Sequence, residues 1–225
     1  MHRSIQTAAL VLFFTSSSLA QISPKTPKPL TAVFDSIVTK EFPAKEPGVS
    51  VIVVKKGAVL YKKGFGIADM ELNVPVQPDM IFRIGSITKQ FTAVAILQLA
   101  AQGKIALQDD IKKYIPDYGI KETITIEQLL NHTSGIKSYT NIDTFWSKMR
   151  NDLAPREIIR LTEKDTLEFK PGSQWNYNNT GYVMLGHIIE KITGKTYEEY
   201  VEQNLFKPAG MIRDRKSTRL NSSHT

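Results

Sequence analysis

The chain contains no cysteine in 225 residues. That absence excludes disulfides, a thiolate nucleophile, cysteine-based metal sites and a lipidated cysteine. Histidine is scarce as well: His2, His132, His187 and His224 are scattered, so no ligand cluster for a metal is expected. No apolar run reaches the length of a transmembrane helix. The formal charge of +7 lacks the concentration that nucleic-acid binding requires. Arg3 supplies one unit and the segment from Arg213 to Thr225 a net three, which leaves only +3 between residues 21 and 212, with no basic stripe interleaved with aromatics. There is no G-x-S-x-G turn either, which disfavours the α/β-hydrolase fold.

What is present begins with a basic start (His2, Arg3), an apolar stretch from Ala8 to Phe14 and a small-residue exit at Ser18 and Ala20. This is the pattern of a secretory signal peptide over residues 1–20, and it places the mature chain outside the cytoplasm, periplasmic or secreted. Residues 21–29, including "SPKTPKP", form a Pro/Lys-rich linker. Leu30, Val33, Phe34, Ile37, Val38 and Phe42 then recur at helical spacing. Residues 49–55 and 58–67 alternate as two strands joined at Lys56 and Gly57. Gly64 and Gly66 make only a G-x-G pair and are expected to be strand glycines rather than a phosphate loop.

Helices are expected over about 86–102, ended by Gly103; from Thr125, whose spacing to Gln128 is that of a capping box, to a stop at Gly135; from Pro155 to about Leu161; from about Thr180 to Thr193, closed by Gly194; and from Tyr197 to Phe206. With 41% hydrophobic residues, one domain over 30–212 is expected. A single hairpin is marginal by itself, so the sheet is expected to be tiny or incomplete.

The stretch "FRIGSITKQF" puts Ser86 at the start of a helix and Lys89 in its first turn, where the macrodipole favours Asp or Glu. A glutamate at residue 89 would complete a capping box; a lysine does not. Positions three apart share a helix face, so the lysine can approach the hydroxyl. A serine becomes a nucleophile when a neighbouring base takes its proton, and lysine is such a base where burial or another cation favours its neutral form. The helix N-terminus also stabilises negative charge developing nearby. Ser-x-x-Lys alone is a weak signal, and taken by itself it more often marks a helix cap with a solvated lysine. The apolar Phe82, Ile84 and Ile87 and the apolar helix that follows argue for a lysine removed from solvent. A second constellation, "WNYNNTGY", sets Tyr177 beside Asn178 and Asn179 just before a helix. A phenol there can relay a proton, and an Asn amide can donate to a substrate carbonyl while its oxygen holds a lysine; the plainer reading is a turn that caps the next helix.

Ser86-Ile-Thr-Lys89, Tyr177-Asn178-Asn179, "TIEQLLNHTSGI" and "PGSQWNYNNTGYVMLGHIIEKITGKTYEEYV" together resemble the serine β-lactamase and penicillin-binding-protein superfamily over about residues 30–212. The nearest branch is the class C-like group that includes D-alanyl-D-alanine carboxypeptidases and esterases. The resemblance implies an α+β, β-lactamase/transpeptidase-like fold, an antiparallel sheet flanked by helices plus a helical region. It also implies Ser86 as the acylated nucleophile, Lys89 as its proton-transfer partner, Tyr177 as general acid/base and Asn179 as a substrate-orienting residue. Asn178 stands where related enzymes often carry a small residue. No metal and no cofactor are implied. The resemblance implies a β-lactam, a D-Ala-D-Ala type peptide of peptidoglycan or a small ester as substrate without choosing among them, and a monomer is expected. The alternative is a non-catalytic penicillin- or peptidoglycan-binding domain or sensor of the same fold, which has no need of Ser, Lys and Tyr together. His132 is expected to be a structural hydrogen-bonder and His187 to pack or face solvent.

One family element is absent from the sequence. The third motif, Lys or His followed by Ser/Thr and Gly on a C-terminal strand, does not occur, and with it go the strands that complete the sheet and a second oxyanion donor. "KSTRLNSSH" near the end resembles a sequencing-adapter read-through, so native sequence is expected to end near Arg213 or Asp214. The expectation is that the 225 residues by themselves fold poorly and are inactive.

Overall fold

The computed structural model describes residues 29–148 and 153–211. The expected signal peptide, the linker up to residue 28 and the tail from Arg213 lie outside the described residues. The chain separates into two compact units, one ending at Met80 and one beginning at Ile81.

In the first unit, α1 spans Leu30–Glu41, as the spacing of its apolar residues predicts. β1 (Val49–Lys55) and β2 (Ala58–Phe65) pair antiparallel, with a register shift between Val53 and Val54. Lys56 and Gly57 both take positive φ, +49° and +78°, the geometry that lets a two-residue turn match the twist of its strands. α1 is fastened to β2 by Asp35, which accepts from the Tyr61 hydroxyl and from Lys63 Nζ at 3.0 Å, and by the Phe34 and Tyr61 rings, 5.2 Å apart. β2 stops earlier than its alternation suggests because Gly66 turns left-handed (φ +67°) and lies against Gly48, where a Cβ would collide with backbone. The chain then makes a second, short hairpin from β3 (Ile67–Asp69) and β4 (Val74–Pro75), which the turn-rich "NVPVQPD" conceals at the level of sequence. Among the described residues the sheets are these two pairs, as small as the sequence implies.

The second unit is helical. α2 covers Thr88–Ala101, preceded by a 3-10 turn at Gly85–Ile87. α3 (Ile126–Leu130) opens with the reciprocal Thr125–Gln128 capping box at 3.2 and 3.0 Å. It ends at Leu130, five residues before Gly135, because His132 adopts φ +65° and takes the chain out of helix. Two short helices follow, α4 (Asp143–Lys148) and α5 (Pro155–Arg160). α6 (Asn179–Thr193) closes at Gly194 with φ +67°, and α7 (Tyr197–Val201) passes into a wider π turn at Glu202–Phe206 rather than continuing as α-helix. Ile96 and Leu99 of α2, Leu129 of α3, Ile158 and Ile159 of α5 and Met184, Leu185, Ile188 and Ile189 of α6 form one buried cluster. Inside it the Thr92 and Tyr197 hydroxyls bond at 2.7 Å. Burial pushes the Tyr197 phenol up to about 12, so it stays protonated and able to donate. α6 buries nine residues against four in α2, and so supplies more of the core of this unit. No helix of the described residues is long and apolar enough to cross a membrane.

Candidate active site

Ser86, Lys89, Tyr177 and Asn179 all lie in the second unit, and the fold brings them to the N-terminal ends of α2 and α6. Gly85, at φ +50°, turns the chain into the 3-10 segment that carries Ser86. The serine therefore sits on a tighter turn than the first turn of an α-helix, exposed to solvent. The expected apolar shelter around it is not present: Phe82, Ile84 and Ile87 are 43%, 41% and 56% exposed. The buried residues of α2 begin only at Thr92.

The Ser86 hydroxyl is met from across the fold. Tyr177 donates its phenolic O–H to Ser86 Oγ at 2.6 Å, a contact between residues 91 positions apart. Lys89, half-buried, directs its ammonium to Asn179, donating from Nζ to Oδ1 at 2.7 Å. The same Nζ lies 4.7 Å from the centroid of the Tyr177 ring and 5.4 Å from that of Tyr182, within the range of cation–π attraction. The cation that is awkward at a helix N-terminus is thus held by an amide oxygen and two aromatic faces. Ser86, Lys89, Tyr177 and Asn179 form one chain of contacts.

Asn178 and Asn179 divide the work of starting α6. Asn178 is its N-cap, with Oδ1 accepting from Gly181 N–H at 2.7 Å and Nδ2 donating to the Ile136 carbonyl. This is a standard way of satisfying an unpaired first-turn donor, and it buries the side chain to 3% exposure. Asn179 is 8% exposed; its Nδ2 donates to Thr140 Oγ1 at 3.2 Å and its backbone N–H to Ser138 Oγ at 3.2 Å. Thr180 Oγ1 donates to the Lys137 carbonyl and accepts from Tyr139 N–H. The 136–140 loop is therefore bolted to the start of α6. Ser138, Thr140 and Thr180 escape the sequence reading because they meet in loop-to-helix contacts that carry no periodicity.

His132 is a hydrogen-bonder here, as expected: Nδ1 accepts from Asn178 N–H at 3.1 Å. His187 is mostly buried on α6, 3.7 Å from Glu190. Among the described residues no group of three or more His, Cys, Asp or Glu side chains gathers in a way that could hold a metal ion.

The arrangement resembles known proteins in both sequence and shape. The family model described as Beta-lactamase matches residues 36–220. The chain belongs to the beta-lactamase family. Protein flp of Staphylococcus aureus is 38% identical over 185 residues, a stretch that is 79% of this chain and 36% of that protein. The octameric penicillin-binding protein homologue of Pyrococcus abyssi superimposes with a TM-score of 0.67 at 38% identity, over 81% of this chain and 43% of that one. A D-stereospecific amidohydrolase from Streptomyces sp. gives a TM-score of 0.69 at 31% identity, over 81% of this chain and 55% of that one. The chain spans about a third of the length of the curated relatives it matches. The helical unit and the small antiparallel sheets are thus a partial beta-lactamase and penicillin-binding-protein-like fold, the family of serine hydrolases to which the sequence motifs point.

Proposed function

We propose that the protein is an exported serine hydrolase that works through an acyl-enzyme on Ser86. The observation that carries this reading is the 2.6 Å hydrogen bond from Tyr177 to Ser86, with Lys89 held beside it at 2.7 Å from Asn179. A nucleophile needs a base within hydrogen-bond reach and a second group that orients the base. In the proposed sequence Tyr177 reacts as its phenolate beside the Lys89 ammonium: the Ser86 oxygen attacks the substrate carbonyl while its proton passes to the Tyr177 oxygen, and the Ser86 backbone N–H donates to the oxyanion. Tyr177 then protonates the leaving group, and in the second half-reaction it takes a proton from the water that releases the acyl chain. Asn179 keeps Lys89 under the Tyr177 ring and orients the substrate through its amide, which exchanges Thr140 for the ligand.

The substrate class we propose is an amide or ester of the D-Ala-D-Ala type, with β-lactams as reactive mimics. A D-stereospecific amidohydrolase and a penicillin-binding protein homologue among the structural neighbours support this choice. All four side chains come from a single chain, so the proposed working unit is the monomer; the Pyrococcus abyssi homologue is octameric, and light scattering decides the assembly of this protein. The test of function is labelling of the full-length gene product with a fluorophosphonate and with a fluorescent penicillin. Labelling that Ser86→Ala abolishes supports the reading; labelling that survives the substitution refutes it.

A further inference from the structure

The proposed chemistry leaves unused the imidazole packed behind Tyr177. His132 holds φ +65°, a costly conformation for a residue other than glycine, which tends to persist where the surroundings demand it. Its Nδ1 accepts from Asn178 N–H at 3.1 Å and its carbonyl accepts from Asn176 N–H at 3.0 Å. Tyr177 lies between those two anchored residues. The imidazole also packs on the tyrosine itself, with ring centroids 4.8 Å apart, and touches Tyr182 at 5.1 Å and Trp175 at 6.0 Å.

A ring nitrogen that accepts from a backbone N–H carries no proton, so this arrangement uses the neutral imidazole. The surroundings agree. Burial, and then the charge of Lys89 on α2, hold the His132 pKa below its ordinary 6.5. The other titratable groups facing it are the phenols of Tyr177 on the loop and Tyr182 on α6. A carboxylate tied to the loop is Glu168, which accepts from Asn176 Nδ2 at 2.9 Å.

We propose that His132 is the positioning residue for Tyr177: the neutral imidazole grips the backbone on both sides of the tyrosine and packs on its ring, fixing the phenol oxygen on Ser86, and a proton on Nδ1 releases that grip. The inference rests on the acyl-transfer reading above. Its consequence is an acid limb of acylation that belongs to a residue which never touches substrate.

Two variants separate grip from ring. Asparagine tolerates the left-handed conformation, offers an amide oxygen close to the position of Nδ1, and does not titrate. Phenylalanine keeps an aromatic ring and removes the acceptor. Fluorophosphonate acylation of the full-length gene product, followed over about pH 5 to 8, should fall in the wild type as pH drops below the ordinary histidine range. His132→Asn should keep the neutral-pH rate within about threefold and move the fall to lower pH, whereas His132→Phe should lose about tenfold in maximal rate with little change in half-saturation. An unchanged acid limb in His132→Asn, or a wild-type rate in His132→Phe, overturns the proposal. A readout independent of activity is nitrogen-15 NMR of the His132 ring and the Asn178 amide, which should titrate with one shared midpoint below 6.5. An Asn178 amide indifferent to that titration also overturns it, whatever happens at Ser86. Persistent labelling of Ser86→Ala instead sinks the acyl-enzyme reading and with it the acid limb, while the shared NMR titration still decides whether His132 grips the Tyr177 loop.

Discussion

The two units treat their apolar residues in opposite ways. In the first, buried apolar side chains among the described residues are confined to Tyr61, Phe65 and Val76, while Leu30, Ile37, Ile52, Val54 and Val59 are each more than half exposed. In the second, α2, α3, α5 and α6 enclose a continuous cluster in which Leu99, Ile159, Leu185 and Ile189 have no exposed surface. Both regions carry clear amphipathic or alternating patterns, so pattern alone does not build a core. What differs is whether a second apolar surface is available to meet the first. The candidate site lies in the unit that has one, on helix ends whose bodies are fixed by packing, and this lets short hydrogen bonds such as Tyr177 to Ser86 be held without sheltering the serine from solvent.

The largest effects should come from side chains that are exposed and therefore carry little of the fold. Ser86→Ala should reduce acyl-enzyme formation by the full-length gene product about 10³-fold or more. Tyr177→Phe should cost about 10² to 10⁴ in turnover, the usual contribution of a general acid/base. Neither should move the thermal midpoint by more than a degree or two, since Ser86 is exposed and Tyr177 is 39% exposed. A large loss of stability in either would mean that the site supports the core, contrary to the division drawn between them.

Next in size is the core itself. Leu99→Ala, at a fully buried position of α2, should destabilise the second unit by about 2–5 kcal/mol, the sum of lost transfer energy and a cavity. Urea unfolding followed by tryptophan fluorescence reads this unit, because both tryptophans, Trp146 and Trp175, lie within it. A loss under about 1 kcal/mol would show that the site collapses around the deletion and that the cluster is less well packed than its burial implies.

Asn178→Ala tests the joint between site and core. The substitution removes the N-cap of α6 and the donor to Ile136, at an expected cost of about 0.5–2 kcal/mol. Its backbone N–H still reaches His132, so acylation should fall less than stability does. Asn178→Ser, which restores a capping oxygen, should recover most of the loss.

The parts of this architecture that are legible in the sequence are those written within a few residues. Thr125 and Gln128 announce a helix start, Lys56 and Gly57 a hairpin, Gly194 a helix end, and Ser86 with Lys89 a helix start that carries both side chains, because each is a local rule of backbone geometry. The ends of elements are less legible when a neighbour overrides them. α3 is cut short by the left-handed His132, and the run from Tyr197 widens into a π turn at Glu202–Phe206, where helical periodicity continues without interruption. Partners are least legible of all. Lys89 and Asn179 are 90 residues apart, and Thr140 joins them through a loop whose composition gives no period. The sequence can show that such a lysine needs an acceptor, but the identity of that acceptor is settled by tertiary packing.

The smallest predicted effect bears most directly on the contrast between the two units. Ile52 lies on β1 opposite Lys62 and is 57% exposed. Threonine keeps its β-branched shape and its preference for strands, so Ile52→Thr changes the apolar surface while leaving the backbone preference almost intact. If the face stays in water, the change in unfolding free energy should be within about 0.5 kcal/mol, as for other surface positions. Hydrogen exchange at the β1 and β2 amides is the suitable measurement, since it reports this hairpin separately from the helical unit. Protection lowered by much more than that would mean that Ile52 is buried against another surface in solution, and the exposed apolar residues of the first unit would then be one half of a second core.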